Sequence, residues 1–358
     1  MKGRVKRLTD VLSEEEEIDV LLVTELVNVR YLTGFHGTNG IALVGPRTRA
    51  FATDFRYVEQ AAEQVHPSFA RARASLDVLE AVSDLLPEGE LRLGFDDVHV
   101  PVRQHARLRE LMPERVELVP AGGMVERIRA VKDAEEVRRI RTAAQLADAA
   151  FERIMRDGLI GRTEREVAVA LEHDMRERGA RRPSFDSIIA AGPHGALPHA
   201  QPRDVPIRAG ELVVIDWGAE LDGYCSDCTR TVAAGEASEA AREVYELVLS
   251  AQLAGLKDVR AGRGGRDVDS VARQVIEAGG HGDEFGHGLG HGVGLNVHEA
   301  PRLSQRSEDT LVPGNIVTVE PGVYVPGRFG VRIEDLVHVT EDGGEVLNGL
   351  SKRLLTTD

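Results

Sequence analysis

Apolar and polar residues along this chain follow two periods that repeatedly change places, and the changes mark its elements. Residues 18–24, 41–44, 50–53, 91–95 and 116–119 are short, β-branched apolar runs bounded by turn residues, which predicts buried strands. Residues 57–65, 76–86 and 102–112 read as helices between them. Such strand and helix alternation predicts a smaller mixed α/β domain over residues 1–122, ending at the hinge-like Ala121-Gly122-Gly123. Over residues 123–358 the pattern shifts to an α+β arrangement. Helices are expected at 134–156, 164–178, 238–254 and 266–278, the second opened by the capping-box pattern Thr163-Glu-Arg-Glu166. Strands are expected at 211–219, 224–232, 316–320 and 330–339.

Composition changes this picture in a few places. A chain of 358 residues with 42% hydrophobic content has enough apolar material for two cores. The formal net charge of −15, with no basic face to offset it, excludes nucleic acid as a partner. The basic start, Met-Lys-Gly-Arg-Val-Lys-Arg-Leu, runs into acidic residues rather than an apolar core, so it does not read as a signal peptide. No apolar stretch reaches membrane-spanning length, and the expectation is a cytoplasmic protein without a membrane partner. The only cysteines, Cys225 and Cys228, lie three apart in an extended strand and so point to opposite faces. They read as packing thiols rather than a disulfide or half a zinc ribbon, with Cys225 sharing a face with Asp227.

Candidate chemistry gathers in five side chains: Asp216, Asp227, His291, Glu320 and Glu334. Four carboxylates and an imidazole suit two divalent cations, whose joint charge of about +4 they would neutralise. With 59 acidic residues present, the weight lies in local pattern. Asp216 ends an apolar strand, and Asp222-Gly223 is a hairpin signal before the strand holding Asp227. A turn at that pair sets Asp216 opposite Thr229 and makes the two aspartates diagonal neighbours on one face, roughly 7–8 Å apart at Cα. A turn one residue longer would separate them. Glu320 closes one strand, and Glu334 shares a face of another with Arg332, which is placed to orient a metal-bound carboxylate or a substrate oxygen rather than to form a surface ion pair. Glycines at 286, 288, 290, 292 and 294 oppose a helix around His287 and His291, so these are not a helical zinc pair, and they never give the order of a dinucleotide loop. They favour close approach of backbone to a ligand.

Asp216-Trp-Gly with a second aspartate at 227, Gly286-His-Gly-Leu-Gly-His-Gly-Val-Gly-Leu-Asn-Val-His-Glu299, Val319-Glu-Pro-Gly322 and Val331-Arg-Ile-Glu-Asp335 together resemble the pita-bread metallopeptidases, the group of methionine aminopeptidase, aminopeptidase P and prolidase. The segment from Phe185 to Pro198-His199 and, in the leader, Arg30-Tyr-Leu-Thr-Gly-Phe and Asp54-Phe-Arg-Tyr57 extend the likeness over nearly the whole chain. The resemblance implies a pita-bread catalytic domain behind a creatinase-like N-terminal domain. It also implies two metals held by Asp216, Asp227, His291, Glu320 and Glu334, with Glu320 shuttling protons and His199 and His298 holding substrate and tetrahedral intermediate. His287 is a further candidate contact for substrate. His194 and His287 also admit a purely structural role.

A leader domain favours the Xaa-Pro branch of that group over methionine aminopeptidases. Within it, Arg302 in His298-Glu-Ala-Pro-Arg302 matches a position where prolidases offer a guanidinium to the free carboxylate of a dipeptide, favouring an Xaa-Pro dipeptidase. The alternative is an aminopeptidase P acting on longer Xaa-Pro peptides. A catalytically inactive binding module is the remote one, disfavoured because all five ligand positions are filled. Mn²⁺ is the expected metal, with Co²⁺ and Zn²⁺ also suited to the donor set. The resemblance further implies a homodimer walled by the leader domain, with His36 near the partner's site.

Overall fold

The computed structural model describes residues 2–14 and 18–358, which form two compact units, Met1–Arg129 and Ala130–Asp358. The first is built on a six-stranded sheet in the order Ala70–Arg73, Arg49–Thr53, Ile41–Val44, Val20–Val23, Leu91–Phe95, Val116–Pro120. The central three strands pair antiparallel and the outer pairs are parallel. Helix Leu26–Thr33, strand Ala70–Arg73 and helix Lys2–Glu14 were not legible in the hydrophobic pattern. Ala70–Arg73 is an exposed edge strand whose alternate arginines hide its period. Helix Lys2–Glu14 buries Val5, Leu8 and Leu12, a correct helical spacing swamped by its lysines and arginines. The helix expected at 76–86 shrinks to a 3₁₀ turn, Val78–Ala81, and a single α-turn, Val82–Leu85.

The division between units falls beyond the glycine pair at 122–123, because helix Met124–Ala130 packs into the first unit. Its Met124, Val125 and Ile128 are buried, Tyr31 Oη donates to Ile128 O (3.2 Å), and Arg129 Nη1 donates to Asn28 Oδ1 (2.7 Å).

In the second unit each half packs a pair of helices on a sheet. Helices Ala134–Asp157 and Glu164–Glu177 cover strands Ile188–Ala191, Leu212–Trp217 and Cys228–Ala234. Helices Glu239–Asp258 and Gly265–Ala278 cover the sheet containing Gly290–Gly292, Ile316–Val319 and Asp335–Val339. The period of two decides what each strand offers. Val213, Ile215 and Trp217 enter the core beneath the first helix pair, which turns Asp216 to the opposite face. Val317 and Val319, then Val331, Ile333 and Val337, enter the core beneath the second pair, turning Glu320, Arg332 and Glu334 the other way. Trp217 locks this parity: fully buried, it stacks on Phe151 at 4.6 Å and donates Nε1–H to Ala147 O at 2.9 Å. Truncation of such a side chain to alanine costs about 3–5 kcal/mol.

The expected capping box is present, and a second, not foreseen in the sequence, accompanies it. Thr163 Oγ1 accepts from Glu166 N (3.1 Å) while Glu166 Oε2 accepts from Thr163 N (2.8 Å). Asp133 and Glu136 form a second capping box at the start of Ala134–Asp157.

Candidate metal centre

The hairpin carrying the two aspartates has the expected register. Leu221 pairs with Tyr224 and Asp216 with Thr229. Asp222 and Gly223 both take positive φ (52° and 88°), the conformation of a type I′ turn. Where the two strands cross into their second half, a Cβ on Gly218 would lie 1.9 Å from Ser226 O, so only glycine lets the backbones close here.

The strand expected over 330–339 is instead two. Phe329–Arg332 pairs with Gly322–Val325, and Asp335–Val339 pairs with Ile316–Val319. Ile333 and Glu334 lie in the change of partner, where Glu334 N donates to Thr229 O at 3.0 Å. Arg230, buried, donates to Glu334 O and pairs with Asp335 at 2.7 Å, fixing the backbone behind the glutamate.

One donor atom each from Asp227, His291 and Glu334 falls within a 4.8 Å sphere of mutual separation. His291 Nε2 lies 3.2 Å from Glu320 Oε1 and 3.7 Å from Asp227 Oδ2. Its Nδ1 donates to Gly292 O at 3.2 Å, which turns Nε2 toward the carboxylates, where it donates to Glu320 while it carries a proton and becomes a metal ligand on losing it. The glycines beside it serve close packing: a Cβ at Gly290 would meet Thr318 O at 2.0 Å, and one at Gly292 would meet Ala300 O at 2.1 Å. Thr318 Oγ1 accepts from His291 N (3.0 Å) and donates to Glu320 Oε1 (2.9 Å), tying two donors together.

Asp216 joins through its neighbours. Arg332, 4% exposed and so no surface ion pair, donates from Nη2 to Asp216 Oδ2 (2.6 Å), from Nε to Thr229 Oγ1 (3.0 Å) and from Nη1 to Tyr324 Oη (2.7 Å). Thr229 Oγ1 donates in turn to Glu334 Oε2 at 2.6 Å. Each of these two carboxylates thus has one oxygen satisfied. The other, Asp216 Oδ1 and Glu334 Oε1, is buried without a hydrogen-bond partner. Unpaired buried carboxylate oxygens are costly, and two residues that carry them, lining one cavity with Asp227 and His291, have the donor chemistry of a cation site.

The electrostatics agree. Burial and then neighbouring carboxylates push Asp227 and Glu334 well above the ordinary carboxyl range, and burial raises Asp216 against the pull of Arg332. Glu320 goes the other way: burial would raise it, but the hydrogen bond and charge of His291 hold it at about 2. The cluster carries more negative charge than its arginine balances, as a dication site should.

A cavity of about 690 Å³ opens over these five side chains and is also lined by Phe185, Ile188, His199, His287, His298 and Arg302. His298 is exposed at its rim and its ring packs 4.4 Å from that of His291; burial of its inner side, then His291 and Arg302, lowers its pKa to about 4 and keeps it neutral. His199 is exposed there too. The Arg302 guanidinium makes no hydrogen bond or ion pair among the described residues; its backbone N–H is held by Asp309 at 2.7 Å. His287 has both nitrogens engaged, Nδ1 donating to Gly288 O (2.8 Å) and Nε2 accepting from Tyr324 Oη (2.9 Å). His194 stands apart, buried against Glu164. Cys225 and Cys228 are free, buried and in separate cores, Cys225 beside Leu295 O and Cys228 beside Glu334 O.

Sequence reasoning passed over Tyr324 and Thr318. The parity of Tyr324 with Gly322 in a strand after Glu320 was the one available signal. A second group of metal-ligand types, Asp96, His99 and Glu126, lies in the first unit. There a partly exposed imidazole sits 3.5–4.0 Å from Glu126, Glu25 and Asp96, the spacing of screened ion pairs.

Residues 138–341 match the profile of metallopeptidase family M24, and residues 4–131 that of the creatinase/prolidase N-terminal domain. An Xaa-Pro dipeptidase of Pyrococcus furiosus is 36% identical over 359 residues, 99% of this chain and 100% of that protein. The structure of an Xaa-Pro dipeptidase from Bacillus anthracis is similar with a TM-score of 0.94 at 40% identity, covering 99% of each chain. That of an X-Pro aminopeptidase from Thermotoga maritima gives 0.90 at 34% identity, covering 99% of this chain and 100% of the other. No helix among the described residues is long and apolar enough to cross a membrane.

Proposed function

The chain belongs to metallopeptidase family M24, and from that premise we propose that it hydrolyses the peptide bond of Xaa-Pro dipeptides with two divalent ions held by Asp216, Asp227, His291, Glu320 and Glu334. The observation that carries the reading is the pair of orphaned oxygens, Asp216 Oδ1 and Glu334 Oε1, on residues that line one cavity with Asp227 and His291, a cavity whose rim holds an unpaired arginine. Bound there, the metals supply Lewis acidity for the scissile carbonyl and for a water that would otherwise be a poor nucleophile at neutral pH.

The residues do the rest. Arg332 and Thr229 each occupy one oxygen of a ligand carboxylate and so aim the other at the centre. Glu320, beside His291, takes the proton of the attacking water and returns it to the departing proline nitrogen. His199 and His298 offer N–H donors to the carbonyl oxygen as it gains charge, and the neutrality of His298 spares the site a further cation. Arg302 pairs with the substrate's terminal carboxylate, which belongs to the residue next to the scissile bond only in a two-residue substrate. His287, saturated by Tyr324 and Gly288, acts on substrate only through Tyr324 and Arg332.

The carboxylate-rich set suits Mn²⁺, with Co²⁺ and Zn²⁺ also accommodated. The reading extends to a cytoplasmic homodimer whose N-terminal domain runs past the hinge expected at 122–123 to Arg129, with the catalytic domain following it. The likeness to an X-Pro aminopeptidase supports the second reading, release of the first residue from longer Xaa-Pro peptides. The two are separated by comparing hydrolysis of an Xaa-Pro dipeptide and an Xaa-Pro-Yaa tripeptide by chelator-stripped protein with and without Mn²⁺. Metal-restored cleavage of the dipeptide alone is expected. Preference for the tripeptide would favour the second reading, and no cleavage of either with any of the three metals would sink both.

A further inference from the structure

We propose that Glu164 is a positioning residue for the reaction, its carboxylate stapling both ends of the loop that carries His199. The proposal rests on the reading of His199 as a donor to substrate. Strand Ile188–Ala191 leaves the cavity wall, turns at Gly192 (φ 53°), passes through the 3₁₀ turn Gly192–Ala196 and presents Pro198-His199 before reaching Arg203. His199 is exposed and its imidazole has no hydrogen-bond partner among the described residues, so its aim is set by the loop backbone alone. Within the loop that backbone is held by Leu197 N to His194 O (3.1 Å), Ala200 N to Leu197 O (3.2 Å) and Arg332 Nη1 to Pro198 O (3.3 Å).

Glu164 sits at the first position of helix Glu164–Glu177 and is fully buried. Its Oε1 accepts from Ala191 N (3.0 Å) and Arg203 Nη2 (3.0 Å), and its Oε2 from Arg203 N (2.9 Å) and Arg203 Nε (3.1 Å). His194 Nδ1 reaches both oxygens, at 3.0 and 2.9 Å. The donors come from the residue before the loop, from within it and from the residue after it. The helix start has its own cap in Thr163 and Glu166, so capping does not account for them. A buried carboxylate is tolerated only when fully paired, and here all its partners belong to this loop or its ends.

Two double-mutant cycles on the full, Mn²⁺-loaded chain test this with an Xaa-Pro dipeptide: Glu164→Gln with His199→Ala, and Glu164→Gln with His298→Ala. Glu164→Gln is expected to lower kcat/KM by about 10–100-fold, the scale on which outer partners of functional side chains act. It should cost less than about 3-fold when His199 is already alanine, and its full factor when His298 is alanine. Equal losses in all backgrounds would overturn the proposal, since a general weakening of the fold multiplies through every background. Wild-type kcat/KM in His199→Ala would overturn the role of His199 itself, and the staple's purpose with it. If Glu164→Gln does not fold, Arg203→Gln, whose side chain is 46% exposed, takes its place in both cycles with the same criteria.

Discussion

Two arginines line one cavity, yet burial and pairing give them opposite uses. Arg332 is enclosed and spends its donors on Asp216, Thr229 and Tyr324, whereas Arg302 reaches the rim with its guanidinium unbonded. A hydrogen-bonded charge pair is worth about 1.5–3 kcal/mol, or about one to two decades. Arg302→Ala should therefore raise KM for an Xaa-Pro dipeptide by about 10–100-fold and leave kcat nearly unchanged, as steady-state kinetics would show. An equal loss on a tripeptide would mean that Arg302 does not read the terminal carboxylate. The types of these residues were legible in the sequence, because their motifs are specific. Their surroundings were not: His194 and His199 share one glycine-rich segment, and only the fold reveals that one is sealed against Glu164 while the other faces the cavity.

At the level of elements, the site depends on strand parity more than on any one bond. Gly218 shows this best, because any side chain there must push Ser226 away and with it the segment that delivers Asp227. Gly218→Ala is expected to lower the melting temperature and to cut Mn²⁺-dependent activity at least about tenfold, a result checked by thermal unfolding and assay in parallel; unaltered activity would show that the hairpin can shift without moving its aspartates. The hairpin itself was legible, since Asp222-Gly223 fixes a two-residue turn and the period of two does the rest. The break at Ile333 and Glu334 was not. It arises because the strand changes partners, from Gly322–Val325 to Ile316–Val319, and a one-dimensional pattern of apolar residues does not say which strand lies alongside.

For the molecule as a whole, the crowded carboxylates predict that metal and stability are linked. A ligand at 100 times its Kd stabilises a fold by about 2.7 kcal/mol. At about 2–4 °C per kcal/mol for a unit of this size, Mn²⁺ should raise the melting transition of stripped protein by about 5–10 °C. Asp227→Asn, which removes one buried charge from an overcharged cluster, should melt no lower than stripped wild type and lose the metal response. A wild-type transition indifferent to divalent ions would contradict the ligand assignment. The two-unit plan was legible from the change in hydrophobic period, but the helix that ends the first unit was not, because its ties to Tyr31 and Asn28 are long-range. The partner strands also set when the centre can exist. The proposed donors begin at Asp216 and are complete only once Glu334 has been laid against Thr229. A chain still emerging from the ribosome therefore has no hydrolytic capacity until almost all of its second unit has been made and folded, and a half-synthesised copy poses no threat to the peptides around it.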